Sequence, residues 1–257
     1  MVSPKVCAYC GTRSAKLTRE DVFPQFLMRE HPNYSSNLVR RLPGLVLPKP
    51  LVVRDVCATC NNVHLSALDN YAASLCRESL RRVVRPGQRV RLSYDHHSLA
   101  RLLLKVAYNS SRANGEPVGH FRPLIPYILG QVARPPSPHT LFASIIRADT
   151  CTADERAAAR SPYLFPRGIR HGELDVSRLV GASFGVFLSV TSYMFLLILW
   201  DPALARPKRR ALVTAVARRS GLVALPEGRR AIDLPEWVTA SREYLSRNSW
   251  SGDMLYT

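Results

Sequence analysis

Two matched cysteine pairs constrain this chain more than any other feature. Cys7-Ala8-Tyr9-Cys10 and Cys57-Ala58-Thr59-Cys60 are both C-x-x-C. Two residues between cysteines let both sulfurs reach one ion from a tight turn. Two such turns complete a tetrahedral four-thiolate site, for which zinc is the usual metal. Gly11 follows the first pair and suits the backbone reversal of a knuckle. Four thiolates leave no open coordination position, so the expected zinc is structural. The 46 residues between the pairs are more than a zinc ribbon needs, and leave room for a substructure. Cys76 and Cys151 fall in no pair and read as core residues. Paired C-x-x-C motifs fit a reducing compartment better than a disulfide framework. The opening "MVSPKVCAYCG" lacks the apolar stretch of a secretory signal, so the expected location is cytoplasmic.

With 46% hydrophobic and 21% charged residues in 257, the chain can build a packed core, which excludes global disorder. Its net charge is +17, of which residues 1–94 carry +9 and the remainder +8. Such a surface attracts polyanions, nucleic acid before an anionic membrane. Arg40, Arg41, Arg54, Arg81, Arg82 and Arg85 are the expected contacts near the cysteine module, with solvated faces as the alternative for some of them. "RPKRRALVTAVARRSG" is a further basic, partly helical segment, readable equally as a solvated face or as a nucleic-acid contact.

Hydropathy periodicity predicts a helix from Asn61 or Asn62, carrying Leu65, Leu68, Ala72 and Leu75 or Cys76. "RVRLSY" alternates as a strand does. "DHHSLARLLLKVAYNSSRANG" is a second helix with an apolar stripe of Leu99, Leu102, Leu103, Val106 and Ala107. His96 and His97 open it, and Asn114-Gly115 closes it. A shortened helix is expected in "FRPLIPYILGQVA" and a strand in "HTLFASIIRA". Leu179 to Trp200 contains 22 residues without a charge, long enough to span a bilayer. Gly181 and Gly185 weaken a helix there, and the Val, Phe and Tyr content favours a buried hairpin of "ASFGVFLSV" and "YMFLLILW".

Between the cysteine pairs lies "LTREDVFPQFL", and after the second pair "CNNVHLSALD". Together with "CAYCG" and the later "HSLARLLLKVAYN", these segments resemble proteins of the HNH endonuclease superfamily over roughly residues 5–110. In that branch the strand reads L-T-x-E-H-V-x-P-x-W-L, and the second pair is followed by N-N-G-W-M-S-x-L-E. The resemblance implies a ββα-metal core on a treble-clef zinc scaffold, with a catalytic Mg²⁺ or Mn²⁺. Glu20 then matches the acidic metal ligand, and Asn61 the ligand at the helix start, with Asn62 as its alternate. Asp21 stands where the family has its water-activating histidine. Val63, His64 and Asp69 replace the family's glycine, tryptophan and glutamate.

The substitution at Asp21 alters the chemistry. An imidazole with a pKa near 6.5 is a better base at neutral pH than a carboxylate near 4, and it brings no negative charge to the phosphate. A metal could offset this, since Glu20, Asp21 and Asn61 are hard oxygen donors suited to Mg²⁺ or Mn²⁺. His64, three residues after Asn61, could supply an imidazole from the helix, or could simply be a surface or packing histidine. His31 is a weaker candidate in a loop. "TRED" also reads as a helix capping box, with Thr18 as the cap and Asp21 reaching back.

The expectation is an α+β chain. Residues 1–85 form an HNH-like zinc module, and residues 86–257 a mixed α/β domain of unassigned family with a buried apolar hairpin. Its expected function is a metal-dependent endonuclease, weakened or degenerate at Asp21, acting on nucleic acid, first of all double-stranded DNA. The alternative is a zinc-containing nucleic-acid-binding protein that does not cut.

Overall fold

A computed structural model describes residues 6–13, 16–30, 36–37, 46–47, 51–159, 162–164 and 169–240. Arg40, Arg41 and His31 lie outside the described residues. The chain is α+β. Among the described residues no helix is long and apolar enough to cross a membrane.

The chain divides into two compact units, each built from separated stretches of sequence. Residues 1–76 with 97–136 form the first, and residues 77–96 with 137–257 the second. This differs from the division expected at residue 85, because the 97–136 stretch belongs with the cysteines.

In the first unit, strand β1 (Leu17–Asp21) pairs antiparallel with β2 (Val52–Cys57), placing Leu17 opposite Cys57 and Asp21 opposite Val52, with an irregularity between Thr18 and Glu20. The capping-box reading of "TRED" is therefore corrected. The segment is extended, and Thr18 Oγ1 donates to the Val56 carbonyl across the ladder (2.9 Å) instead of accepting from a helix N–H. Val22, Phe23 and Leu27 are buried beyond it, Leu27 in the short helix α1 (Gln25–Glu30). After β2 the chain enters a wide helical turn at Cys60–Leu65, which continues as α2 (Ser66–Leu75) with Leu68, Ala72 and Leu75 buried.

Helix α3 (His96–Ala113) enters the first unit at His97. Its apolar stripe is buried as expected, but so is its other side: every residue from Leu102 to Ser111 is buried. Gly115 takes the positive φ that ends it.

The second unit is organised on a six-stranded sheet. It contains β4 (His139–Arg147), β5 (Ile169–Glu173), β6 (Ala182–Val190), β7 (Tyr193–Trp200), β8 (Val223–Leu225) and β10 (Glu236–Ala240). The order is β8-β4-β7-β6-β5, antiparallel throughout, and β10 runs parallel beside β4. Strands β3 (Val90–Ser93) and β9 (Ala231–Leu234) pair separately.

The charge-free stretch forms the β6–β7 hairpin, with the two strands the sequence predicts. Every residue of β7 is buried, which accounts for its unbroken hydrophobicity. Its one polar ring atom is satisfied, since Trp200 Nε1 donates to Thr140 Oγ1 (2.9 Å). Gly185 is required by close packing: a Cβ there would lie 2.7 Å from Val176 Cγ1. Helix α4 (Arg206–Ser220) covers the sheet with Val216 buried and Leu212, Val213 and Ala217 packed against the same core. Gly221, at φ +67°, ends it.

Candidate metal centre

The two C-x-x-C turns meet. The Sγ atoms of Cys7, Cys10, Cys57 and Cys60 all lie within 4.8 Å of one another, with Cys10 and Cys57 at 3.6 Å. A tetrahedron built on Zn–S bonds of about 2.3 Å has sulfur–sulfur edges of roughly 3.8 Å, so the donor set fits a single such ion. The Cys57 N–H points at Cys7 Sγ (3.3 Å) and the Cys60 N–H at Cys57 Sγ (3.4 Å), contacts that suit thiolate character. Burial pushes the Cys57 and Cys60 thiols up, a penalty that a bound cation reverses. Burial alone would also raise Cys10, but hydrogen bonds to Thr12, Cys7 and Cys57 bring it down to about 6. The cluster can hold a metal ion such as zinc. Cys76 and Cys151 are buried apart from it.

The clasp draws β1 against the opening turn of the helix. Asn61 Nδ2 donates both to Thr18 Oγ1 and to the Arg19 carbonyl, each at 2.9 Å. Asn62 is exposed. His64 is half-buried, and its Nδ1 lies 2.8 Å from the Leu129 carbonyl. A carbonyl can only accept, so Nδ1 carries the proton. Asp21 is held by Gln25 Nε2 (2.9 Å) and by Arg19 Nη2 (3.2 Å).

Glu20 points the other way, into the protein. It is buried, and its Oε1 lies 2.7 Å from Nζ of Lys105, a side chain with no exposed surface. The same ammonium reaches Asp69 Oδ1 at 2.6 Å. Burial alone would lower the Lys105 pKa, but the two carboxylates more than offset this and hold it above its ordinary value. Burial likewise pushes the Glu20 carboxyl up, against the pull of Lys105. Glu20 and Asp69, the two acidic positions matched from the resemblance, thus share one internal cation. Among the described residues the four cysteines are the only group of three or more His, Cys, Asp or Glu ligand atoms that converges.

Lys105 belongs to a polar stripe on α3 that the sequence reading overlooked. Lys105, Tyr108, Asn109 and Arg112 follow an i, i+3, i+4, i+7 spacing and all face the cysteine module. Tyr108 Oη donates to the Ala8 carbonyl (2.8 Å), and Asn109 Oδ1 accepts from Tyr9 Oη (2.7 Å). Arg112 pairs with Asp55, and its guanidinium stacks over the rings of Tyr108 and Tyr9 at 4.6 and 5.3 Å. Three of these four contacts reach the residues flanking the metal cysteines, and the fourth reaches β1. This seam explains why α3 groups with the first unit.

The expected arginine contacts fall on separate units. Arg54 is exposed on β2, and Arg81, Arg82 and Arg85 are exposed in the second unit. Comparison of the chain with models of known families, with characterised proteins and with solved structures returned no match.

Proposed function

We propose that the chain is a zinc-stapled protein that binds nucleic acid, first of all double-stranded DNA, through phosphate contacts without cleaving it. In this reading an HNH-like ββα module has been turned to structural use. One observation carries it. The carboxylate expected to hold a catalytic Mg²⁺ or Mn²⁺ is already paired with the Lys105 ammonium inside the protein. A divalent cation at Glu20 would have to displace a charge that two carboxylates hold. The +17 charge supplies the affinity, chiefly through exposed arginines such as Arg54, Arg82 and Arg85. Zinc, held by Cys7, Cys10, Cys57 and Cys60, fixes the module's shape and takes no part in chemistry.

The test pairs gel-shift titration of a DNA duplex with a plasmid-nicking assay in Mg²⁺ and in Mn²⁺. Binding without nicking is expected. The second reading, a working nuclease, is favoured by Asn61, whose side chain draws the acidic strand to the helix start. Metal-dependent nicking that disappears in both Glu20→Ala and Asp21→Ala would establish that reading in place of the first. In a weakened nuclease, Asp21→His would raise the nicking rate.

A further inference from the structure

Helix α4 carries a charge distribution that folding alone does not account for. Arg206, Lys208, Arg210, Arg218 and Arg219 are exposed on it, and Arg209 is half-buried. No acidic residue occurs between Asp201 and Glu227. Among the described residues none of these six side chains makes an ion pair or a hydrogen bond.

Four of the six crowd the start of the helix. There the aligned peptide dipoles already present positive charge, the first turn has no acidic residue, and Ala205 provides no side-chain cap. Cations at that end work against the helix. Arg218 and Arg219, in the last turn, favour it. The inner face is fully used, with Leu212, Val213, Val216 and Ala217 on the sheet core. The outer face is small between its charged ends: Ala211 and Thr214 are exposed there. Lys208 and Arg218 are ten residues apart, or about 15 Å along a helix.

We propose that α4 docks on B-form duplex DNA, with its two basic ends on the phosphate ridges that flank a major groove. The occupant follows from charge and dimension. A continuous polyanion relieves the unfavourable cations at the helix start, and the spacing of the two ends is comparable to the major groove width of about 12 Å. The deep, narrow major groove of A-form RNA does not admit side chains and does not match this face. The small residues at the centre let the helix axis approach the groove. This proposal rests on the DNA-binding reading above and assigns that activity a surface outside the zinc module.

The experiment measures DNA affinity against salt for the whole protein and for the variant Arg206→Gln/Lys208→Gln/Arg218→Gln/Arg219→Gln. Glutamine has a helix propensity close to that of Arg and Lys, and none of the four side chains is in the core, so the variant keeps its fold and its thermal midpoint. If all four cations contact phosphates, the slope of log affinity against log salt falls by about 3 to 4, since each contact contributes roughly 0.9. Arg122→Gln/Arg156→Gln, a double change on exposed residues elsewhere, leaves the slope near wild type. Wild-type binding with an unchanged slope in the quadruple variant overturns the assignment to α4 and leaves the DNA-binding reading standing. An equal fall per charge in the control pair also overturns it. A wild-type protein that binds no duplex overturns both readings. Tighter binding to phosphatidylserine–phosphatidylcholine vesicles than to duplex, lost in the quadruple variant, reassigns the face to a membrane surface and overturns the proposal.

Discussion

The Lys105 ammonium lies 2.7 Å from a Glu20 carboxylate oxygen, and neither side chain is open to water. The pair ties the middle of α3 to the strand between the cysteine knuckles, 85 residues earlier in the chain. Its removal is expected to be asymmetric. Lys105→Met leaves Glu20 buried without a counter-charge and should cost about 3–5 kcal/mol in urea unfolding. Lys105→Met/Glu20→Gln should recover much of that loss. A single variant within about 0.5 kcal/mol of wild type, the range of ordinary surface substitutions, would show that the pair is not a structural strut.

The metal site predicts a stoichiometry. Purified protein should carry one zinc per chain by elemental analysis, and cobalt exchange should give the intense sulfur-to-metal bands of a four-thiolate site. Cys57→Ser should lose the metal, while Cys76→Ser and Cys151→Ser should keep it. Loss of metal on changing either buried outlying cysteine would contradict the cluster of four.

Asn61 is placed to hold β1, so its loss should appear in stability. Asn61→Ala removes two hydrogen bonds and should destabilise by about 1–3 kcal/mol. Hydrogen exchange should quicken at Thr18 and Arg19 before it does in the sheet of the second unit. An unchanged unfolding midpoint and unchanged exchange would place Asn61 outside the scaffold.

His171 sets an acid limb. Burial depresses its pKa to about 4 from the ordinary 6.5. The folded form therefore excludes a proton that the unfolded chain binds. This contribution to stability is complete above pH 6.5 and is lost as pH falls from there toward 4. Thermal midpoints of wild type should drop across that interval, and His171→Gln should drop less. Parallel curves for the two proteins would remove His171 as the cause.

Parts of this architecture are legible in the residues. The cysteine spacing marks the metal ligands, because two turns of the same length imply one ion. The β6–β7 hairpin is legible in its Val, Phe and Tyr content, and in Gly185, which fits where a neighbouring side chain crosses closely. Lys105 was not. Its position lies off the stripe of Leu99, Leu102, Leu103 and Val106, and a lysine there reads as a solvated face. Only the three-dimensional arrangement reveals a helix buried on both sides, where a polar stripe four residues deep clamps the knuckles. The same blindness placed a domain break at residue 85. Local patterns register a zinc module ending with its helix, and cannot register that a distant helix completes it.

The hairpin at the centre of the second unit also bears on how the chain is born. The 22-residue charge-free stretch that holds it leaves the ribosome before α4, whose Val216 and flanking aliphatic side chains pack on the same core. Until that later helix arrives, Phe142, Ile146, Leu174 and Val176 are the partners already made for the two greasy strands, and the part of the core that α4 covers stays open. Synthesis therefore passes through an interval in which this core is incomplete on a stretch whose uncharged length matches that of a bilayer anchor.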